Sequence, residues 1–262
     1  MRGRGIRSLA LVVLGGVAMI VQAGEPATAG KDAVLDHVLP PDTGIPGRSV
    51  AELTADWWRW VRAQPFSPYL DPDGRLCDLG QEGPVWFLAG TDGSFNARRE
   101  CNVPTGKYLL LPVINMLHRN VQPVGEPDTY SCPELVAGAA VNNDHLNSAV
   151  VLIDGVPVPE VARYRVRTAE CFDIDADIGE HRAADGNGRM AAADGYWLLI
   201  EPLPPGRHTI HVGANYGASD RGYGAMVQNF EYVLDVGGWV NTAMLAPPGS
   251  GIGAGRVASK RP

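Results

Sequence analysis

Alternation of apolar and polar residues in the last third of the chain constrains the fold more than any other feature of the sequence. Within residues 226–236, apolar side chains recur at every second position from residue 230 onward. A period of two is typical of a β-strand with one buried face and one wetter face. Residues 196–200 and 208–212 are two further apolar runs, and the Pro/Gly-rich segment 202–206 between them predicts a turn. The chain is therefore expected to be mainly β, an antiparallel immunoglobulin-like β-sandwich with one or two short helices.

Three shorter apolar runs, at residues 84–89, 107–114 and 149–153, predict additional strands. Continuous runs of this length suit strands that are buried on both faces. Pro112 cannot donate a hydrogen bond to a neighbouring strand, so it predicts a sheet edge or a bulge at that point. The Asp-Gly pair at 154–155 predicts a hairpin-type turn after the third run.

One of the predicted helices carries most of the tryptophan in the first half of the chain. Trp57, Trp60 and Val61 are three and four positions apart, so they share one helical face, which is expected to pack on a sheet. Thr54 is the expected N-cap, and Pro65 ends the helix.

A second helix is expected over residues 133–145. Ser131 can cap its N-terminus, and Pro133 suits the first turn of a helix. Leu135 and Ala139 are four positions apart, so they lie on the same side and can face a core.

The first 23 residues have the three-part pattern of a secretory signal peptide. Arg2, Arg4 and Arg7 precede an apolar run, and Val21 and Ala23 suit the −3 and −1 positions of a cleavage site. A membrane-spanning helix needs roughly 20 apolar residues, and this run is shorter. The chain is therefore expected to be exported, to the periplasm or the medium, with no membrane span in the mature protein.

The remaining chain is expected to hold a single β-sandwich domain over residues 48–244. Residues 24–47 are rich in Gly, Pro and Ala without periodicity, which predicts a flexible N-terminal arm. Residues 245–262 are rich in Gly and Pro and basic at the end, which predicts a disordered tail.

The charge of the chain argues against nucleic acid as a partner. The sequence has 22 basic and 29 acidic residues, and removal of a leader with three arginines leaves 19 against 29, or −10. A nucleic-acid binder needs a basic surface to displace counterions from phosphates. The expected partner is instead a cell-envelope glycan or a small molecule.

Four cysteines, Cys77, Cys101, Cys132 and Cys171, remain in the mature part. An even number in an exported chain predicts two disulfides, and the spacing lacks the close pairs of a metal site. Three pairings are possible. The pairs Cys77–Cys101 and Cys132–Cys171 are favoured because each joins segments that are near in the chain.

Several motifs together resemble a family of exported, uncharacterised bacterial and archaeal proteins. They are GQEGPVWFLAG at 80–90, CNVPTGK at 101–107 and LPVIN at 111–115, and DGYWLLI at 194–200 and PGRHTIH at 205–211 are similar to that family's closing strands. The resemblance spans residues 50–237 and implies export and the β fold. It carries over no catalytic residue.

Calcium is the one metal that the sequence brings into consideration. Asp173, Asp175 and Asp177 alternate as the first ligands of a calcium loop do. However, Ile178 and Ala184 stand where such a loop has Gly and Glu. A solvated acidic loop is the simpler interpretation, so no cofactor is expected beyond this candidate.

No established catalytic motif for zinc, a nucleophilic serine or a nucleotide occurs in the sequence. The candidates for acid–base chemistry are His118, at a predicted sheet rim, and the carboxylates Glu82 and Glu201 near strand ends. Each of them is more simply a structural or solvated side chain.

The expected function follows from the exposed aromatic residues. Trp58 points away from the apolar face of its helix and can stack on a sugar ring, and Trp86 is a second candidate. The first hypothesis is an exported binding or structural domain for a glycan or another neutral cell-surface ligand. The alternative is a secreted hydrolase or lyase that uses a carboxylate and His118 in a cleft at the sheet rim.

Overall fold

The computed structural model describes residues 32–121, 129–176, 189–217 and 222–239. The predicted signal peptide, the beginning of the N-terminal arm and the predicted tail lie outside these ranges. None of the helices within them is both long enough and apolar enough to cross a membrane.

The described chain is mainly β, with two helices and two sheets of six and five strands. In chain order the elements are β1 (Val38–Leu39), α1 (Val50–Ala63), β2 (Val85–Phe87), β3 (Ala97–Val103), β4 (Tyr108–Arg119), α2 (Cys132–Asn143), β5 (Leu146–Ile153), β6 (Val156–Pro157), β7 (Arg165–Arg167), β8 (Phe172–Asp173), β9 (Met190–Ile200), β10 (Gly206–Tyr216) and β11 (Met226–Val236).

The long strands β4 and β9 form the centre of the first sheet. They pair antiparallel from Leu109 opposite Ile200 to Arg119 opposite Ala191. Short strands β1, β7 and β8 follow one another along the outer side of β9, and β2 lies on the other side of β4. The second sheet has the order β3-β11-β10-β5-β6.

The sheets differ from the antiparallel prediction in two places, because β2 pairs parallel to β4 and β3 pairs parallel to β11. The predicted turn at 202–206 also does not join neighbouring strands, since β9 and β10 belong to different sheets. Leu203 is buried in this connection, and Pro204 and Pro205 cannot donate ladder hydrogen bonds. The turn therefore carries the chain from one sheet to the other.

Both sheets contribute to one hydrophobic core, so their inner faces pack against each other. Leu111 and Leu198 of the first sheet share this core with Ile210 and Leu234 of the second. Trp86 belongs to it too and is only 1% exposed. The prediction that Trp86 binds a ligand is wrong for this reason, because its indole has no accessible face.

Helix α1 begins one turn earlier than predicted. Ser49 is its N-cap and forms a capping box with Glu52, in which each side chain bonds the other residue's backbone N–H. Thr54, the expected cap, is buried inside the helix. The predicted apolar face is confirmed, since Trp57 and Trp60 pack on the first sheet.

The beginning of α2 is confirmed, because Ser131 caps it through a capping box with Glu134. The disulfides Cys77–Cys101 and Cys132–Cys171 are both formed, with a Cα–Cα distance of 5.7 Å in each. Two disulfides indicate an oxidising compartment.

Part of the segment predicted as a flexible arm is built into the first sheet. Residues Asp32–His37 form a 3-10 turn, and β1 then pairs with the end of β9, with Val38 opposite Ile200. The His37 carbonyl accepts a hydrogen bond from the Glu201 amide. The arm prediction is therefore wrong for residues 32–39.

Candidate ligand groove at the edge of strand β4

A groove of 410 Å³, called the edge groove below, runs along one side of β4. Six consecutive residues of this strand, 112–117, line it. Successive side chains of a strand point to opposite faces of the sheet. All six can therefore line one cavity only if the cavity follows the edge of the strand rather than one face.

The edge is open because β2 leaves the sheet early. Strand β2 pairs with β4 only from Tyr108 to Leu110, and the Leu88 amide makes the last hydrogen bond, to the Leu110 carbonyl. The chain then turns towards the second sheet, where Thr91 exchanges hydrogen bonds with the Gln228 side chain. Within the described residues, no strand continues beside β4 beyond this point.

Arg99 holds this departing segment in place. Its side chain is only 1% exposed, and the guanidinium donates to the carbonyl oxygens of Asp71, Ala89 and Gly90 at 2.7, 2.7 and 2.9 Å. The Tyr232 hydroxyl also donates to the Ala89 carbonyl. Burial raises the pKa of Tyr232, so this hydroxyl keeps its proton. Arg99 therefore fixes the wall of the edge groove.

A β-bulge between Pro112 and Ile114 decides which side chains of β4 enter the groove. Before the bulge Leu110 faces α1, whereas after it Leu117 does so. The extra residue therefore moves odd-numbered positions to the α1 side. Pro112 predicts a sheet edge or a bulge at this point, and the structure has a bulge there. Asn115, which lines the groove, faces Gly195 of β9, a residue with no side chain.

Aromatic and apolar side chains form the walls. Trp58 of α1 and Tyr69 stand on one side, and Met226 at the start of β11 stands on the other. Trp58 is partly buried, with its ring 4.9 Å from that of Trp57. Its buried indole N–H has no hydrogen-bond partner among the described residues. The structure thus brings the predicted ligand residue Trp58 into a groove.

The groove has an acidic residue at one end, and basic side chains lie just beyond the other end. At the first, the Ser94 hydroxyl and amide hold the pKa of Asp92 below its usual range, so this carboxylate is charged. At the second, Arg119 follows two positions after Leu117 along β4. Burial and the nearby charges of Arg62 and Arg189 lower the pKa of Arg119.

The calcium candidate Asp175 lies beside these basic side chains. Asp175 is buried and forms ion pairs with Arg62 and Arg189, at 3.0 and 3.4 Å. The Asp173 side chain accepts a hydrogen bond from the Asp175 amide. Two arginines at one carboxylate repel a cation, and the described residues contain no cluster of metal ligands. Asp177 lies outside the described residues, so calcium binding stays a prediction.

The candidate catalytic residues are not brought together. His118 pairs with Ala192 of β9, and Glu201 follows nine residues later along the same strand direction, which corresponds to a separation of about 30 Å. Glu82 precedes β2, which reaches β4 at Tyr108, ten residues and roughly 33 Å from His118.

The surroundings of His118 are aromatic rather than acidic. Its ring centroid lies 5.1 Å from that of Tyr130 and 6.1 Å from that of Tyr223. Helix α2 covers the ring so closely that a Cβ at Gly138 would come within 1.6 Å of its Nδ1 atom. Among the described residues no carboxylate forms an ion pair with His118. The histidines that do contact a carboxylate are His208, with Asp154, and His211, with Glu231, and both belong to β10 of the second sheet.

Glu82 lines a second cavity, of 610 Å³, on the other side of α1. Asp56 lines it as well, but its carboxylate is bonded to Arg48 and Arg59. The Asp56 carboxylate is therefore held by two ion pairs on one side of the cavity.

A buried polar network was missed from the sequence. Asp194 is 1% exposed and receives both guanidinium groups of Arg165 and Arg167. Asn143 at the end of α2 donates to the Asp194 carbonyl and accepts from the Tyr216 hydroxyl. These bonds fasten α2 and β7 to β9, and a signal was present, because Asp194 interrupts an otherwise apolar strand.

Comparisons of this chain with protein-family models, with curated proteins and with solved structures give no match.

Proposed function

We propose that this protein is an exported binding domain and that its ligand lies in the edge groove. The observation that carries the proposal is the open edge of β4, walled by Trp58 and Tyr69 on one side and by Met226 on the other. Concave, mainly apolar sites with a few polar groups are the usual form of ligand sites. Export is supported by the two disulfides and by the signal-peptide pattern.

The chemistry of the groove favours binding over catalysis. Asn115 presents an amide that no described side chain occupies. The aromatic walls and the neutral Asn115 amide suit an uncharged ligand surface in the middle of the groove, and a cell-envelope glycan remains one candidate occupant. The hydrolase or lyase alternative lacks a carboxylate paired with His118 among the described residues. The imidazole of His208 does contact Asp154, but its other nitrogen is taken by the Pro204 carbonyl.

The finer statements about the fold and the family are also proposals. Two sheets around a shared core support an immunoglobulin-like sandwich, whereas the parallel pairs β2–β4 and β3–β11 depart from its all-antiparallel pattern. Membership in the family of exported proteins rests on the motif resemblance alone.

The test is a binding screen with the full mature chain, residues 24–262, against cell-envelope oligosaccharides and random peptides. Trp58→Ala removes a groove wall, and Trp239→Ala is the matched control because Trp239 is 78% exposed and lies outside the groove. We expect Trp58→Ala to weaken binding about tenfold, the worth of one aromatic contact, and Trp239→Ala to leave it unchanged. Equal affinity of the two variants would contradict the assignment of the site.

A further inference from the structure

We infer that the edge groove receives an extended polypeptide, which joins the first sheet as an added strand beside β4 with its carboxyl end at Arg119. The inference rests on the proposed function, because it names the ligand class of the same site. Such a peptide runs parallel to β4 and continues the row begun by β2.

The backbone of β4 is the first reason. The Asn120 amide donates to the Met190 carbonyl of β9, so residue 120 faces β9. Backbone groups alternate in direction along a strand, so those of Asn115, Leu117 and Arg119 face the groove. No hydrogen bond joins these amide and carbonyl groups to another residue in the ranges that the structure describes.

The spacing of these groups selects the ligand. Donors and acceptors recur at every second residue, a repeat of about 6.6 Å. A polypeptide in extended conformation has the same repeat and the complementary order of N–H and C=O groups. The partly exposed stretch of β4 from residue 115 to residue 119 is about 13 Å long and takes four or five residues.

The outer edge of the neighbouring strand β2, unlike that of β4, is satisfied within the described part of the protein. The outer side of β2 is covered by Gln81, whose side-chain amide accepts from the Phe87 N–H at 2.9 Å and donates to the Phe87 carbonyl at 2.8 Å. Gln81 is only 4% exposed. An equivalent side chain is absent beside residues 115–119 in the described chain, so that edge is available for a partner.

The positive charge beyond Leu117 sets the orientation of the added peptide. Arg62 and Arg189 share the carboxylate of Asp175, whereas Arg119 forms no ion pair with any described residue. Three cations and one carboxylate leave excess positive charge where the groove ends. A terminal carboxylate placed there gains a charge-assisted hydrogen bond.

The probe is a library of N-acetylated random octapeptides with a free carboxyl end, and the same library as carboxamides. The best sequence is resynthesised with single N-methyl groups, each of which removes one backbone donor. We expect alternation: N-methylation at every second residue weakens binding about tenfold, and at the residues between has little effect. Loss of similar size at every position would overturn strand addition.

Arg119→Gln tests the orientation. The variant is expected to bind the free-acid peptide about tenfold more weakly and the carboxamide as the native chain does. Arg75→Gln is the control, because Arg75 is exposed and pairs only with Asp73 among the described residues. Equal loss for both peptide forms would overturn the orientation.

Two further outcomes separate this inference from the proposed function. If oligosaccharides bind in a Trp58-dependent way and no peptide does, the binding function stands and strand addition fails. If neither class binds, both fail. A photo-crosslink from the peptide to Val150, on the exposed outer side of β5, instead of Met226 would also overturn the inference.

Discussion

Replacement of Arg99 by methionine is expected to destabilise the protein strongly and to loosen the wall of the edge groove. The variant removes all guanidinium hydrogen bonds to Asp71, Ala89 and Gly90. The Ala89 carbonyl keeps the Tyr232 hydroxyl as a donor, whereas those of Asp71 and Gly90 have no other donor among the described residues.

The magnitude follows from these two carbonyls. A buried acceptor left without a partner costs about 1–3 kcal/mol, so the pair costs about 2–6 kcal/mol. The methionine side chain is neutral and avoids the desolvation cost of a buried cation, so part of the lost stability is regained. We therefore expect the free energy of unfolding to fall by about 3 kcal/mol. Arg99→Lys keeps the charge but reaches fewer carbonyls, so its stability is expected to lie between those of the native chain and Arg99→Met.

Urea unfolding with intact disulfides, followed by tryptophan fluorescence and circular dichroism, measures this loss. Arg98→Met is the control variant, because the Arg98 side chain is 64% exposed and its nearest distance to the Glu231 carboxylate is 3.6 Å. Surface substitutions of this kind usually change stability by less than about 0.5 kcal/mol. Faster amide hydrogen exchange at Thr91 is expected in Arg99→Met alone. If the two methionine variants unfold at the same urea concentration, the role assigned to Arg99 is wrong.

Two other predictions concern the remaining candidate residues. Gly138→Ala places a Cβ within 1.6 Å of His118 and should destabilise by about 1–3 kcal/mol, less the roughly 1 kcal/mol that alanine gains in a helix. The double variant Gly138→Ala/His118→Ala should recover this loss, and a thermal melt in which it does not would contradict the clash. Addition of a chelator should leave the melting temperature unchanged, because Arg62 and Arg189 neutralise Asp175; a fall in melting temperature that calcium restores would show a metal site.

The strands and the disulfide pairs could be predicted because their signals are local. Period-two alternation identified β11, and proximity in the chain identified both cysteine pairs. The start of α1 was missed although its signal was local as well, since Ser49 and Glu52 have the spacing of a capping box.

Strand β3 was not expected, and Arg99 is the reason. Its buried positions, Ala97, Arg99, Cys101 and Val103, alternate with more exposed ones. Charged residues are almost never fully buried, so an arginine hides the period of two. The carbonyl groups that make its burial possible come from residues 71, 89 and 90, which the local sequence of β3 does not indicate.

The edge groove could not be predicted because it depends on where β2 stops. The run 84–89 is apolar throughout and could have paired further along β4. Its pairing ends because Ala89 and Thr91 form hydrogen bonds with Arg99, Tyr232 and Gln228 of the second sheet instead. Other edges of the first sheet are occupied, by β1, β7 and β8 along β9 and by Gln81 beside β2. Since open strand edges invite pairing with other chains, an edge kept open between two walls, where its neighbours are covered, is better explained by a ligand than by chance.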